Sequence, residues 1–96
     1  MPQSEANKDG ISILSAQAVT TSGTSAQSAA FGTQTRMVRL CATQAVYFRV
    51  GQNPTAINTD TLLPANTVER VAVKPGWRVA ALQVSAGGSL SIAECE

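Results

Sequence analysis

The chain has no histidine. That removes the common general base, the commonest metal ligand and the usual partner of a catalytic serine or cysteine. Carboxylates are few: Glu5, Asp9, Asp60, Glu69, Glu94 and Glu96 are the whole set. Only Asp60 and Glu69, which flank the TLLPAN turn, are placed to approach each other as an acid/base pair of the glycosidase kind. The residues favour a plainer reading, a turn-capping Asp and a strand Glu paired to Arg70 or to a cross-strand Arg. Aromatics are limited to Phe31, Tyr47, Phe48 and Trp77. Trp77 follows Pro75-Gly76 and is expected to plug the core at the end of the fold rather than stand out as a binding anchor. No apolar run has the length of a membrane-spanning helix. The polar start MPQSEANKDG lacks the hydrophobic centre of a signal peptide, so synthesis and initial residence in a cytoplasm are expected.

The net charge of +1 gives no electrostatic reason to expect nucleic acid. Arg36, Arg39, Arg49, Arg70, Lys74 and Arg78 are scattered among the apolar stretches, as on solvated strand faces and protected edges. Gly51, Gly76, Gly87 and Gly88 open no helix and form no phosphate cradle. Cys41 and Cys95 are expected as small, reduced, buried residues, able to pair only if their strands are neighbours. Neither has a histidine to activate it. Composition and motifs thus supply no catalytic residue, no metal-ligand set, no cofactor and no small-molecule substrate site.

What the chain does have is a series of short apolar stretches stopped by Gly, Pro or Asn. RMVRLCAT, AVYFRVG, TDTLLPAN, TVERVAVKPG, WRVAALQV and GGSLSIAEC follow one another almost without interruption. This pattern predicts an all-β fold, a single antiparallel β-sandwich or jelly-roll-like barrel of about seven to eight short strands. Val38, Leu40 and Ala42 share one face, as do Val46, Phe48 and Val50, in the period-2 alternation of half-buried strands. Thr43-Gln44 joins these two strands, and a hairpin and a single long, bent strand both fit. A first strand is expected over Ile11–Thr20. A short strand ending at Phe31 follows a polar loop, although the Ala-rich 26–31 stretch also suits one helical turn. GQNPTAINTD reads as a surface loop, Ala65-Asn66 as a turn, and Lys74-Pro75-Gly76 as a type II turn. Residues 1–10 read as a flexible N-terminal arm that orders against a neighbour, and residues 11–96 as one β-sandwich domain.

A domain of 96 residues buries a modest core. Much of its apolar content is Ala, so a subunit interface is a natural supplement.

The ordered stretches SAQSAAFGTQTRMVRLCATQAVYFRVGQNPTA and LLPANTVERVAVKPGWRVAAL carry a resemblance. A Ser/Thr-rich lead and a Phe precede an Arg-flanked strand at Arg36–Leu40. Then come Gly-x-Asn-Pro-Thr-Ala from Gly51 to Ala56, Leu-Pro-Ala from Leu63 to Ala65, Glu69, and Pro-Gly leading to Val-Ala from Pro75 to Ala80. In these elements, over about two-thirds of its length, the chain resembles small structural proteins of tailed bacteriophages, of the capsid decoration or cement kind. The resemblance implies a non-enzymatic virion protein on the capsid surface, made in the host bacterial cytoplasm. It further implies the major capsid protein as partner and a homo-oligomer, most naturally a trimer, with no nucleic acid and no membrane bound. The arm 1–10, the polar stretch 15–30 and the loop 52–60 are the candidate contact segments. The alternative is a tail- or fibre-associated module that binds a host receptor or another tail protein through exposed aromatics, for which Tyr47 and Trp77 are the candidates.

Overall fold

The computed structural model describes residues 7–8 and 11–96. Its strands are β1 (Asn7–Lys8), β2 (Ile11–Thr20), β3 (Ala26–Gln27), β4 (Met37–Ala42), β5 (Val46–Gly51), β6 (Thr61–Leu63), β7 (Val68–Ala72), β8 (Arg78–Gln83) and β9 (Ser89–Cys95). No helix occurs among the described residues. The expected arm lies outside them, apart from Asn7 and Lys8, which pair with Ser12 and Ile11.

Two antiparallel sheets face each other, in the orders β1-β2-β9-β4-β7 and β3-β8-β5-β6. They form an open sandwich, not a closed barrel. Setting aside the two-residue β1, the eight remaining strands run first-eighth-third-sixth in one sheet and second-seventh-fourth-fifth in the other. That is the double Greek key of a jelly roll. Every connection between these eight crosses from one sheet to the other, except that between β5 and β6.

The alternation along β4 and β5 has the expected consequence. Val38, Leu40, Ala42, Val46 and Phe48 are buried, and Val50 packs against them from a partly buried position. Val19, Leu90 and Ile92 join them from the larger sheet, and Leu63, Val79 and Ala81 from the smaller. Phe31 and Val73 complete the cluster from the connections.

The join at Thr43-Gln44 is neither a hairpin nor the middle of a bent strand. β4 and β5 belong to different sheets, and the join carries the chain across the sandwich. Local alternation is the same in either case, because sheet membership is decided by distant partners. The 26–31 stretch makes no helical turn. Its regular pairing is confined to Ala26 and Gln27, opposite Ala81 and Ala80. Single backbone bonds then follow the same neighbour as far as Phe31, from Ser28 N–H to Val79 O at 2.8 Å and from Phe31 N–H to Trp77 O at 2.8 Å.

The turns follow their sequences. Trp77 N–H donates to Lys74 O at 3.1 Å, and Gly76 has φ of 84°, the left-handed position a type II turn reserves for glycine. Asn66 stands alone among non-glycine described residues with positive φ, at 57°. Its side chain tolerates that region better than most. Replacing Asn66 with Ala is expected to cost about 1 kcal/mol, while Asn66→Gly stays near neutral. Urea denaturation of the two variants beside the parent checks this order.

Candidate functional site

Asp60 and Glu69 do not form a pair. Asp60 closes a turn: its own N–H donates to Ile57 O at 3.0 Å, and its Oδ2 accepts Ile57 N–H at 2.8 Å. Its Oδ1 accepts from Arg49 Nε at 3.0 Å and Nη2 at 2.7 Å. Both oxygens are therefore occupied. The Ile57 N–H, helped by the Arg49 guanidinium, holds the Asp60 carboxyl below its ordinary value against the smaller opposing effect of desolvation. Glu69 lies in the other sheet, on the edge strand β7 opposite Leu40, and forms no ion pair among the described residues. The turn-capping reading holds for Asp60, whereas no Arg pairs with Glu69 among the described residues.

A depressed native pKa gives stability that is present above the unfolded value, about 3.9 for Asp, and lost as pH falls through the native one. The parent is thus expected to melt above Asp60→Asn at pH 6, with a narrower gap at pH 3. Thermal melts of both proteins at the two pH values provide the check.

The loop 52–60 is less of a surface loop than its composition suggests. Pro54 and Ala56 are buried. Gln27 Nε2 donates to Asn53 Oδ1 at 2.8 Å and to Pro54 O at 2.7 Å, and Ala56 N–H donates to Ser25 Oγ at 2.9 Å. These bonds fasten the loop to β3 at the far edge of its sheet, leaving Ile57 exposed at its tip.

The main polar constellation is one that the residue types did not announce. Glu94 is buried, in register with Val38 and therefore on the inward side of the larger sheet. Its Oε1 accepts Thr35 Oγ1–H at 2.8 Å and Gly32 N–H at 2.9 Å, and its Oε2 accepts from Gln17 Nε2 at 3.3 Å. Gln17 in turn accepts Ala29 N–H at 2.9 Å and donates to Ala29 O at 3.3 Å. Together they hold the crossing segment between β3 and β4, supplying from side chains the bonds that a strand neighbour would give. The signal available in SLSIAEC was parity: Glu94 stands two residues beyond Ile92 and four beyond Leu90, on the apolar side. Several groups of the 15–30 stretch are thus spent inside the fold, including the buried Ser28 hydroxyl, which accepts Val79 N–H at 3.0 Å.

Trp77 is partly buried against the core, with the Lys74 ammonium 5.8 Å from its ring centre. Phe31 and Phe48 are buried, and Tyr47 is half-buried on the outer side of the smaller sheet beside Leu62 and Leu82. Cys41 and Cys95 are free thiols on adjacent strands, but Cys41 stands opposite Ser91 and Cys95 opposite Met37. Four strand residues, roughly 13 Å, separate the two levels, well beyond a disulfide's reach. Burial raises the Cys95 thiol pKa, against a partial opposing pull from Arg39 and Arg70. Among the described residues no three His, Cys, Asp or Glu side chains gather as a metal would require.

The geometry defines a small jelly-roll β-sandwich whose described carboxylates are dispersed. Comparison with protein-family models, curated proteins and solved structures found no match.

Proposed function

We propose that this chain is a non-enzymatic structural protein of a tailed-bacteriophage virion, which binds the major capsid protein on the outer shell and stabilises it. The observation that carries the reading is the jelly roll itself, an architecture used by viral capsid domains and also by lectins and cupins. The other two uses fit this chain less well. A cupin centre needs clustered metal ligands, and the described residues gather none. A sugar platform needs exposed aromatics, whereas Phe31 and Phe48 are buried, Trp77 packs partly on the core, and the half-buried Tyr47 is the one aromatic on the outer side of the smaller sheet among the described residues. The same point weighs against a tail or fibre module that recognises a host receptor.

Physical chemistry suits the cement role. Side-chain bonds fix the crossing segment 28–35 and the loop 52–60, so the module presents a rigid surface whose weak contacts are multiplied by lattice symmetry. Assembly as a trimer at a threefold position would supplement its modest core. The test is the number of copies of this chain in purified particles, measured by quantitative mass spectrometry against the major capsid protein. Parity with that protein supports shell decoration. A few copies per particle moves the chain to the tail or portal, and absence from the particle removes it from the virion.

A further inference from the structure

Charge is unevenly placed along the strands. Residues 18–26, 41–48, 61–68 and 81–91 together exceed a third of the chain, and none of them is Asp, Glu, Lys or Arg, although 14% of the chain is charged. The fold gathers these four stretches at one end of the sandwich. Thr43 N–H donates to Ser89 O at 3.0 Å, Asn66 N–H to Ala42 O at 2.8 Å, Gln83 N–H to Ser22 O at 3.0 Å and Thr21 N–H to Gly88 O at 2.9 Å. Toward the other end stand Arg36, whose N–H donates to Cys95 O, the opposed Arg39 and Arg70, the Lys74 turn, and Arg78 opposite Gly51.

A second observation concerns the outer side of the smaller sheet. Leu62, Tyr47 and Leu82 form a row across β6, β5 and β8 at the charge-free end. Leu62 is 52% exposed. Val84, two residues beyond Leu82 and donating its N–H to Ala45 O, is 40% exposed. Farther down the same side Ala80 is fully buried, flanked in register by Gln27 and by Arg49, which is tied to Asp60. The chain's own side chains therefore occupy the lower part of this side, while Leu62 and Val84 stay open above.

Charge decides which occupant fits. Contacts between like subunits are more apolar than the rest of the surface, and their centres are depleted of charged residues. Recognition of an unlike protein is sharpened instead by complementary charges, which this end lacks. Two copies can bring their charge-free ends together without opposing like charges, whereas contact through the other end sets arginine against arginine.

We infer that copies of this chain associate through the charge-free end, with Leu62, Tyr47, Leu82 and Val84 of one copy packed against the same end of its neighbour. The contact surface rests on the homo-oligomer proposed above. It is tested on the isolated chain, so its failure is distinct from a low copy number in particles.

Sedimentation of the full chain between about 5 and about 200 μM provides the test, a range in which modest subunit contacts dissociate. The parent is expected to associate as its concentration rises. Leu62→Asp and Val84→Asp should each weaken association at least about tenfold. Arg39→Glu should leave it unchanged, and raising NaCl from about 0.05 to about 0.5 M should alter it by less than about twofold. An equal mixture of Val84→Asp and Val84→Lys should recover the association that each lacks alone, which a folding defect would not allow. A parent that stays monomeric throughout, aspartates without effect, or a mixture that fails to associate overturns the inference. Association that falls steeply with salt, or is lost in Arg39→Glu, assigns the contact to the charged half and overturns it too.

Discussion

Replacing Glu94 with Ala should lower the melting temperature by roughly 10–25 °C. The carboxylate accepts from Thr35 Oγ1, Gly32 N–H and Gln17 Nε2, and it is buried. Truncation strands those donors, at about 1–3 kcal/mol for each one left unsatisfied inside the fold. A kcal/mol is worth about 4–8 °C in a domain of this size. Glu94→Gln separates the two components of the loss. Its Oε1 still accepts from Thr35 and Gly32, while its new amide faces the Gln17 amide, so a fall of only about 3–8 °C is expected. Thermal melts followed by far-UV circular dichroism rank the two variants. Equal losses would mean that the charge, rather than the acceptor, holds the segment.

Glu94 also shows what could be read in advance and what could not. The alternation Leu90, Ile92, Glu94 assigns the carboxylate to the inner face, so its burial was available in the sequence. Its partners were not, because Gly32 and Thr35 are about sixty residues away and nothing local ties them to β9. The same division runs through the fold. Strand faces at 37–42 and 46–51 and the turn at Pro75-Gly76 rest on period and local backbone preference, and the structure has them as expected. That β4 and β5 separate into different sheets depends on β9 and β8, their central neighbours, and so lies beyond any local pattern. The burial of Pro54 and Ala56 likewise depends on Ser25 and Gln27, about thirty residues earlier. At the candidate site, the turn-capping role of Asp60 was legible because its Ile57 partner is three residues away, whereas the position of Glu69 in the other sheet, with no ion pair among the described residues, was not.

The second large effect should come from a single methyl group. A Cβ placed on Gly87 would stand 2.7 Å from the carbonyl oxygen of Thr21. That oxygen belongs to a backbone which is itself fixed, since Thr21 N–H donates to Gly88 O at 2.9 Å and Thr21 Oγ1 accepts Gly88 N–H at 2.8 Å. Relief requires the β8–β9 connection to move away from the end of β2, so Gly87→Ala is expected to cost about 1–3 kcal/mol. Gly51→Ala serves as the control, because a Cβ there meets nothing within 4 Å. Chemical denaturation should displace the Gly87 variant and leave the Gly51 variant close to the parent. Coincident curves would show that the connection yields without penalty.

The position of β9 has a consequence for how the molecule comes into being. It lies between β2 and β4 and supplies the inward Leu90 and Ile92, yet of the nine described strands it is the last to be made. While residues 89–95 remain inside the ribosome, β2 and β4 are unjoined edges of an unfinished sheet. Such edges invite pairing with other nascent chains. Most connections also cross the sandwich, so few contacts are local and acquisition of the native state should be slow for so short a chain. Ribosome-bound chains that expose residues up to 88 should therefore be protease-sensitive throughout, and resistance should arrive in one step once β9 emerges.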